Sequence, residues 1–321
     1  MTDAVRRVAV VGSGYMGGGI AQVLAGVGLD VVLGDVDVRT ASAARQRLVD
    51  QAGAFERDGL FPPGAAERIG ARLSAADSIE SAVADADYVT EAVPEDRDVK
   101  TAALQAISAA ARPDAVIGSN TSAIPIGELA RSVRYPERFL GVHWMNPAPF
   151  VPGVELIPTP ATRPEALDRA EALVRAAGKV PARIADSPGF VANRLQFALF
   201  REAARMVEEG LVEAHQVDVV VANAFGFRLP FFGPFAIADM AGLDVYAASY
   251  ESLQKAYGER LGAPESLRRL VDDGHLGLKS GGGFLDIDPE QAAALTAYRD
   301  RAYAALSRLR AELGPPPGLP R

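Results

Sequence analysis

His143 and Glu155 are the two residues of this chain best suited to move a proton. His143 closes an apolar run, Phe139-Leu140-Gly141-Val142, and Glu155 stands inside another, Val154-Glu155-Leu156-Ile157. Imidazole exchanges protons near neutral pH, which suits it to general acid–base work. A carboxylate on its second ring nitrogen would fix the tautomer and stabilise the imidazolium. An acid within an apolar strand carries a desolvation cost and needs a partner. Asn146-Pro147 and Pro149 lie between the two, so a loop could return the chain to the same sheet edge. The alternative is an edge-strand glutamate facing solvent. His215, in a polar helix start, and His275, in a loop, read as ordinary surface residues.

A second group of residues binds rather than reacts. Gly12-Ser13-Gly14-Tyr15-Met16-Gly17 follows an apolar run, Val8-Ala9-Val10-Val11, and precedes a helix-like stretch, Ile20 to Val27. Asp35 ends the next apolar run, Val31-Val32-Leu33, about 20 residues on. Strand, glycines, helix, strand and acid in this order form a dinucleotide-binding fingerprint. Gly12 permits the tight turn, Gly14 lets backbone approach a pyrophosphate, and Gly17 lets the helix pack on the strand. The helix N-terminus offers free N–H groups and a positive dipole end. Asp35 can accept hydrogen bonds from both ribose hydroxyls and would repel a 2′-phosphate, which predicts NAD over NADP. Arg39 reads as a solvated helix residue. NAD implies hydride transfer, and hydride transfer to or from an alcohol needs a proton acceptor such as His143.

The elements that must position these groups alternate through the first half of the chain. Strands are predicted near 5–11, 30–34, 87–93, 115–119, 138–144, 153–158 and 179–184. Helices are predicted near 15–27, 38–58, 95–111 and 164–177. This alternation predicts an α/β fold, a Rossmann-type doubly wound parallel sheet covered on both faces. It places His143 at the carboxyl edge of the sheet, where such folds hold ligands. After Asp186-Ser187-Pro188-Gly189 only helical signals follow: 190–209, 215–224, 243–258, 264–273 and 289–313. A boundary near 186 is therefore expected, between an NAD-binding domain (1–186) and an all-α domain (187–321). Gly314-Pro315-Pro316-Pro317-Gly318 cannot continue a helix and is expected to be disordered.

Composition narrows the partners. The chain has 33 basic and 41 acidic residues among 321, a net charge of −8, and no Lys/Arg-rich run, which argues against nucleic acid and anionic membranes. It has no cysteine, which excludes disulfides and thiolate chemistry, and three histidines make a histidine-rich metal site improbable, so no metal is expected. Arg6-Arg7 before an apolar stretch superficially resembles a secretory signal, but glycines break the stretch. No segment reaches the length of a membrane span. A cytoplasmic protein is expected, since NAD is there.

At these residues the chain resembles the 3-hydroxyacyl-CoA dehydrogenase family, including bacterial 3-hydroxybutyryl-CoA dehydrogenases. The matching motifs run in order over nearly the whole chain. They are Gly12 to Gly17 with Gly19-Ile20-Ala21, then Glu91-Ala92-Val93-Pro94-Glu95 with Lys100, then Ser119-Asn120-Thr121-Ser122. His143-Trp144-Met145-Asn146-Pro147 through Glu155 follows, then Ser187-Pro188-Gly189-Phe190-Val191-Ala192-Asn193-Arg194. Gly233-Pro234 with Asp239, Gly242-Leu243-Asp244, and Lys279-Ser280-Gly281 with Gly283-Phe284 complete the set. The resemblance implies that His143 is a general base with Glu155 as its partner. It implies that Ser122 hydrogen-bonds the reacting oxygen and that Asn193 helps hold the substrate carbonyl. Glu95 and Lys100 match positions near the nicotinamide and its ribose, and Asn146 is a further substrate candidate. A homodimer made by the helical domain is also implied. Duller roles exist: Ser122 could cap a helix beginning near Ile124-Pro125, and Asn193 could be a helix-surface amide.

The chain departs from the family in three places. Trp144 and Met145 stand where paired phenylalanines are usual. The segment in which the family contacts CoA ends Phe55-Glu56-Arg57-Asp58-Gly59-Leu60, so Arg57 is the only nearby cation, between two acids. A CoA diphosphate wants preorganised positive charge. The stretch Phe227-Arg228-Leu229-Pro230-Phe231-Phe232 is longer and more aromatic than usual, and Arg228 could clamp a substrate carboxylate or simply be a solvated loop residue. The expected activity is NAD-dependent oxidation of a 3-hydroxyacyl thioester, or the reverse reduction. The alternatives are a dehydrogenase of a free hydroxy acid or of a carrier-protein-bound hydroxyacyl group and, in another class, a non-catalytic NAD-binding structural or sensor protein.

Overall fold

The computed structural model describes residues 5–318. The described residues form two compact units, divided between Ala198 and Leu199.

The first unit is built on an eight-stranded sheet of order β3-β2-β1-β4-β5-β6-β7-β8. Its strands are β1 (Arg7–Val11), β2 (Asp30–Gly34), β3 (Leu73–Ala75), β4 (Tyr88–Glu91), β5 (Val116–Ser119), β6 (Phe139–Trp144), β7 (Gly153–Pro158) and β8 (Val180–Arg183). All pair in parallel except β6 with β7, which are antiparallel. The order reverses between β1 and β4, opening a crevice at their carboxyl ends. Side chains alternate across the sheet, and both faces are covered. Val8 and Val10 enter one apolar layer, Ala9 and Val11 the other. Each fully buried Val contributes on the order of 1.5–3 kcal/mol.

The helices of this unit are α1 (Tyr15–Gly26), α2 (Val38–Arg57), α3 (Ala65–Arg72), α4 (Ile79–Val83), α5 (Arg97–Ala110), α6 (Ile126–Leu129) and α7 (Pro164–Ala176). α2 buries Ala41, Ala44, Leu48 and Ala52, the spacing of one helical face. It starts where the Asp37 carboxylate accepts the Thr40 amide at 2.7 Å. The short elements β3, α3, α4 and α6 were not legible in the pattern. They hold three to eight residues, too few to show a period. The predicted parallel sheet needs one amendment: β7 reverses because its connection from β6 is too short for a crossover.

α8 (Ala192–Glu208) spans the division between the units. The second unit continues with α9 (Ala214–Asn223), α10 (Pro234–Ala241), α11 (Leu243–Tyr257), α12 (Glu265–Asp272) and α13 (Ala292–Leu313). α10 was missed in the pattern. Its buried Asp239 accepts the amides of Phe284 at 3.1 Å and Leu285 at 2.8 Å. α13 stops at Gly314, whose φ of 70° lies in the left-handed region. Among the described residues no helix is long and apolar enough to cross a membrane.

Candidate active site

A cavity of about 670 Å³ opens at the switch point between β1 and β4. Gly12, Gly14, Tyr15, Met16 and Asp35 line one part of it, and Glu95, Asn120 and Ser122 another. The glycine loop is shaped as the fingerprint requires. Gly12 has φ 91°, and a Cβ there would sit 2.6 Å from the Ala92 carbonyl. A Cβ on Gly17 would collide with the Gly12 carbonyl oxygen, so helix packs directly on loop. Gly14 is the N-cap of α1 and no side chain caps the helix, which leaves its first amides free for phosphate oxygens.

Asp35 holds the turn as well as facing the cavity. One carboxylate oxygen accepts the Ser13 amide at 2.8 Å and the Ser13 hydroxyl; the other accepts the Val36 amide at 2.8 Å. A carboxylate fixed at the end of β2 suits ribose hydroxyls and opposes a 2′-phosphate, so these residues fit NAD. Arg47 was missed in the sequence. Its guanidinium donates to the Ser13 carbonyl at 2.7 Å and lines the cavity. Thr40, Ala44 and Arg47 at one helical face was the available signal. Arg39 is exposed on α2 and does not line the cavity.

His143 and Glu155 are register partners across β6 and β7. Their side chains point to the same face, His143 Nδ1 lies 2.9 Å from Glu155 Oε2, and both are over nine-tenths buried. A carboxylate only accepts, so Nδ1 carries the hydrogen, and in the neutral imidazole Nε2 presents its lone pair. Nε2 lies 3.1 Å from Ser122 Oγ. Glu155 Oε1 accepts the amides of Val191 at 3.0 Å and Ala192 at 2.8 Å, at the start of α8. The next residue, Asn193, donates from Nδ2 to the Ser122 carbonyl at 3.0 Å. Phe190, wholly buried at φ 49°, sets its ring 5.5 Å from the imidazole.

α6 is capped not by Ser122 but by Asp186, which accepts the Ile126 amide at 3.0 Å and the Gly127 amide at 2.7 Å. Trp144 points to the opposite face from His143 and fills the core at 3% exposure. Its backbone amide donates to Asn120 Oδ1 at 2.8 Å, a role for Asn120 that its place in the Ser119-to-Ser122 motif could have suggested.

Three expected site residues are not in this cluster. Lys100 is 1% exposed and does not line the cavity; its ammonium lies 2.8 Å from Glu91 Oε1 and 3.4 Å from Glu95 Oε2. Asn146 is exposed in the turn after β6 and lies outside the cavity lining. Arg228 belongs to the second unit, half-buried in the turn after α9. His215 and His275 are also in that unit, and His215 faces Glu213.

Beside the main cavity lies a smaller one of about 440 Å³, sharing Gly14, Tyr15 and Arg47. Phe55 and Phe150 wall it, with ring centroids 5.3 Å apart, and Phe61 stacks edge-on to Phe55 at 5.1 Å. At the end of α2, Glu56 is engaged by the amides of Gly64 and Ala66.

Comparison with known proteins gives the family. Family models described as 3-hydroxyacyl-CoA dehydrogenase, NAD binding domain, and 3-hydroxyacyl-CoA dehydrogenase, C-terminal domain, match residues 7–187 and 189–287. The chain is 35% identical to 5-formyl-3-hydroxy-2-methylpyridine 4-carboxylate 5-dehydrogenase of Mesorhizobium japonicum, over 95% of this chain and 98% of that one. It is 35% identical to L-carnitine dehydrogenase of Pseudomonas putida, over 94% of this chain and 93% of that one. The crystal structure of a 3-hydroxyacyl-CoA dehydrogenase from Archaeoglobus fulgidus is 32% identical, covers 96% of this chain and 99% of its own, and superposes with a TM-score of 0.78. The chain therefore belongs to the 3-hydroxyacyl-CoA dehydrogenase family and is an NAD-dependent oxidoreductase acting on a hydroxyl group.

Proposed function

We propose that the protein interconverts a 3-hydroxyacyl thioester and its 3-keto form, with His143 as the general acid–base. The observation that carries this reading is the alignment Ser122 Oγ, His143 Nε2, His143 Nδ1, Glu155 Oε2, with contacts of 3.1 Å and 2.9 Å at its two ends. The nicotinamide, when bound, supplies the hydride acceptor or donor. In the oxidising direction His143 Nε2 takes the hydroxyl proton, and Glu155 stabilises the imidazolium. In the reducing direction His143 returns that proton. Ser122 Oγ hydrogen-bonds the reacting oxygen, and Asn193 Nδ2 holds the substrate carbonyl. A catalytic constellation of this kind argues against a structural or sensor role. His143→Ala is expected to lower turnover at least about a hundredfold. Unchanged turnover would sink the reading.

A second reading keeps the chemistry and changes the substrate to a free hydroxy acid. The single cation at the end of α2, Arg57 between two acids, and the aromatic wall of the smaller cavity favour it, since a CoA diphosphate wants more preorganised positive charge. Relatives named for a pyridine carboxylate and for L-carnitine match almost the full chain. Assays with 3-hydroxybutyryl-CoA, a carrier-bound thioester and free 3-hydroxybutyrate, following NADH absorbance, separate the cases. We further propose a cytoplasmic homodimer. The exposed apolar residues Leu199, Phe200 and Val207 of α8 support an interface in the helical unit, and dependence on NAD supports the compartment.

A further inference from the structure

The turn that carries Ser122 belongs to no regular element: residues 120–125 lie between β5 and α6. A hydroxyl that must meet both His143 and a reacting oxygen needs firmer support than such a turn provides by itself. Glu95 provides it. Its Oε1 accepts three donors from that turn: the Thr121 hydroxyl at 2.6 Å, the Ser122 amide at 3.0 Å and the Ala123 amide at 2.9 Å. Its Oε2 lies 3.4 Å from the Lys100 ammonium. Lys100 is in turn anchored beneath. It donates to Glu91 Oε1 at 2.8 Å and to the Val93 carbonyl at 3.1 Å. Glu91 is wholly buried, and its other oxygen accepts the Ser119 hydroxyl at 2.5 Å. The chain of contacts thus runs from the end of β4 through Lys100 to Glu95 and into the Ser122 turn.

We propose that Glu95 is a positioning residue for Ser122, with the buried Lys100 as the cation that orients its carboxylate. This goes beyond the place near the nicotinamide and its ribose expected for both residues, and it rests on the proposed role of Ser122. A carboxylate that collects several amides sets a turn in one geometry, much as a cap sets a helix end. Lys100 cannot act on a ligand directly, since it is 1% exposed. It acts through Glu95, and removing it would leave Glu91 as an uncompensated buried carboxylate.

The test combines a spectroscopic readout with a double-mutant cycle. Imidazole ¹⁵N spectra of the ligand-free protein are recorded for wild type, Glu95→Ala, Glu95→Gln, Ser122→Ala and Glu95→Ala/Ser122→Ala. His143 is assigned by the signal lost in His143→Gln. Glu95→Ala should shift the His143 Nε2 resonance toward its position in Ser122→Ala, Glu95→Gln should shift it less in the same direction, and the double variant should match Ser122→Ala. In kinetics, Glu95→Ala should lower kcat about 10- to 100-fold in the wild-type background and less than about threefold when Ser122 is already alanine. An unmoved His143 signal in well-folded Glu95→Ala and Glu95→Gln, or fully additive losses of kcat, overturns the proposal. A Ser122→Ala enzyme with unimpaired kcat would instead remove the role of Ser122. The spectra would still decide whether Glu95 places it.

Discussion

Glu155 divides its carboxylate between His143 and the start of α8. Oε2 lies 2.9 Å from His143 Nδ1, and Oε1 accepts the Val191 and Ala192 amides. One buried acid therefore orients the imidazole and also places the helix turn bearing Asn193. Glu155→Ala should lower kcat about a hundredfold or more and also destabilise the fold, because buried donors lose their acceptor. Glu155→Gln keeps an acceptor and the shape, so most of its loss should be in kcat, with a smaller shift in the urea midpoint. Steady-state kinetics beside urea melts would test this split. Equal loss of stability in both variants would contradict it.

Asp35 is tied to Ser13 and faces the dinucleotide cavity. Asp35→Asn should weaken NAD binding about ten- to a hundredfold, the scale of lost charge-assisted hydrogen bonds. The preference for NAD over NADP should narrow with it, since the charge that repels a 2′-phosphate is gone. Titration of both dinucleotides by fluorescence measures the two effects. An unchanged preference would place the discrimination elsewhere.

Burial works to raise the Glu95 pKa, but the Thr121 hydroxyl, the Ala123 amide, the Lys100 ammonium and the Ser122 amide outweigh it and hold the carboxyl below its usual 4.5. The unfolded chain therefore takes up this proton more readily than the folded one. The stability from Glu95 is complete above about 4.5 and is lost as pH falls through the lower folded value. Glu95→Gln should be less stable than wild type at about pH 7, and the gap should narrow as pH falls below about 4.5. Urea melts across that range read it directly. A gap constant with pH would show that the charge of Glu95 contributes nothing to folding.

Asp186 caps α6 from 60 residues away in sequence, through the amides of Ile126 and Gly127. Asp186→Ala should cost about 1–2 kcal/mol of stability. Asp186→Asn, which keeps an acceptor, should cost less. Thermal melts compare the two, and equal melting temperatures for both variants and wild type would show the cap to be dispensable.

Where side-chain periods are local, the sequence was readable. All seven predicted strands exist within a residue or two; the buried central ones read as apolar runs whose ends are marked by glycine, proline or acid. The long helices α1, α2, α5 and α7 were equally legible from one-face spacing. The glycine fingerprint with Asp35 stated its own geometry, since Gly12 and Gly17 stand where a Cβ would strike backbone. The candidate site was partly legible too. His143 and Glu155 drew attention as polar residues in apolar runs.

What remained hidden depends on pairs of atoms far apart in the chain. The antiparallel register that sets His143 opposite Glu155 follows from how the turn after β6 closes, and a shift of one residue would have sent the two side chains to opposite faces. The engagement of α8 by Glu155, the hold of Glu95 on the Ser122 turn, and the withdrawal of Lys100 beneath Glu95 are likewise tertiary. Amino-acid order sets which segments form strands and helices, because those periods are written within a few residues. Which carboxylate meets which donor is decided only when the sheet closes and buried charges must find partners.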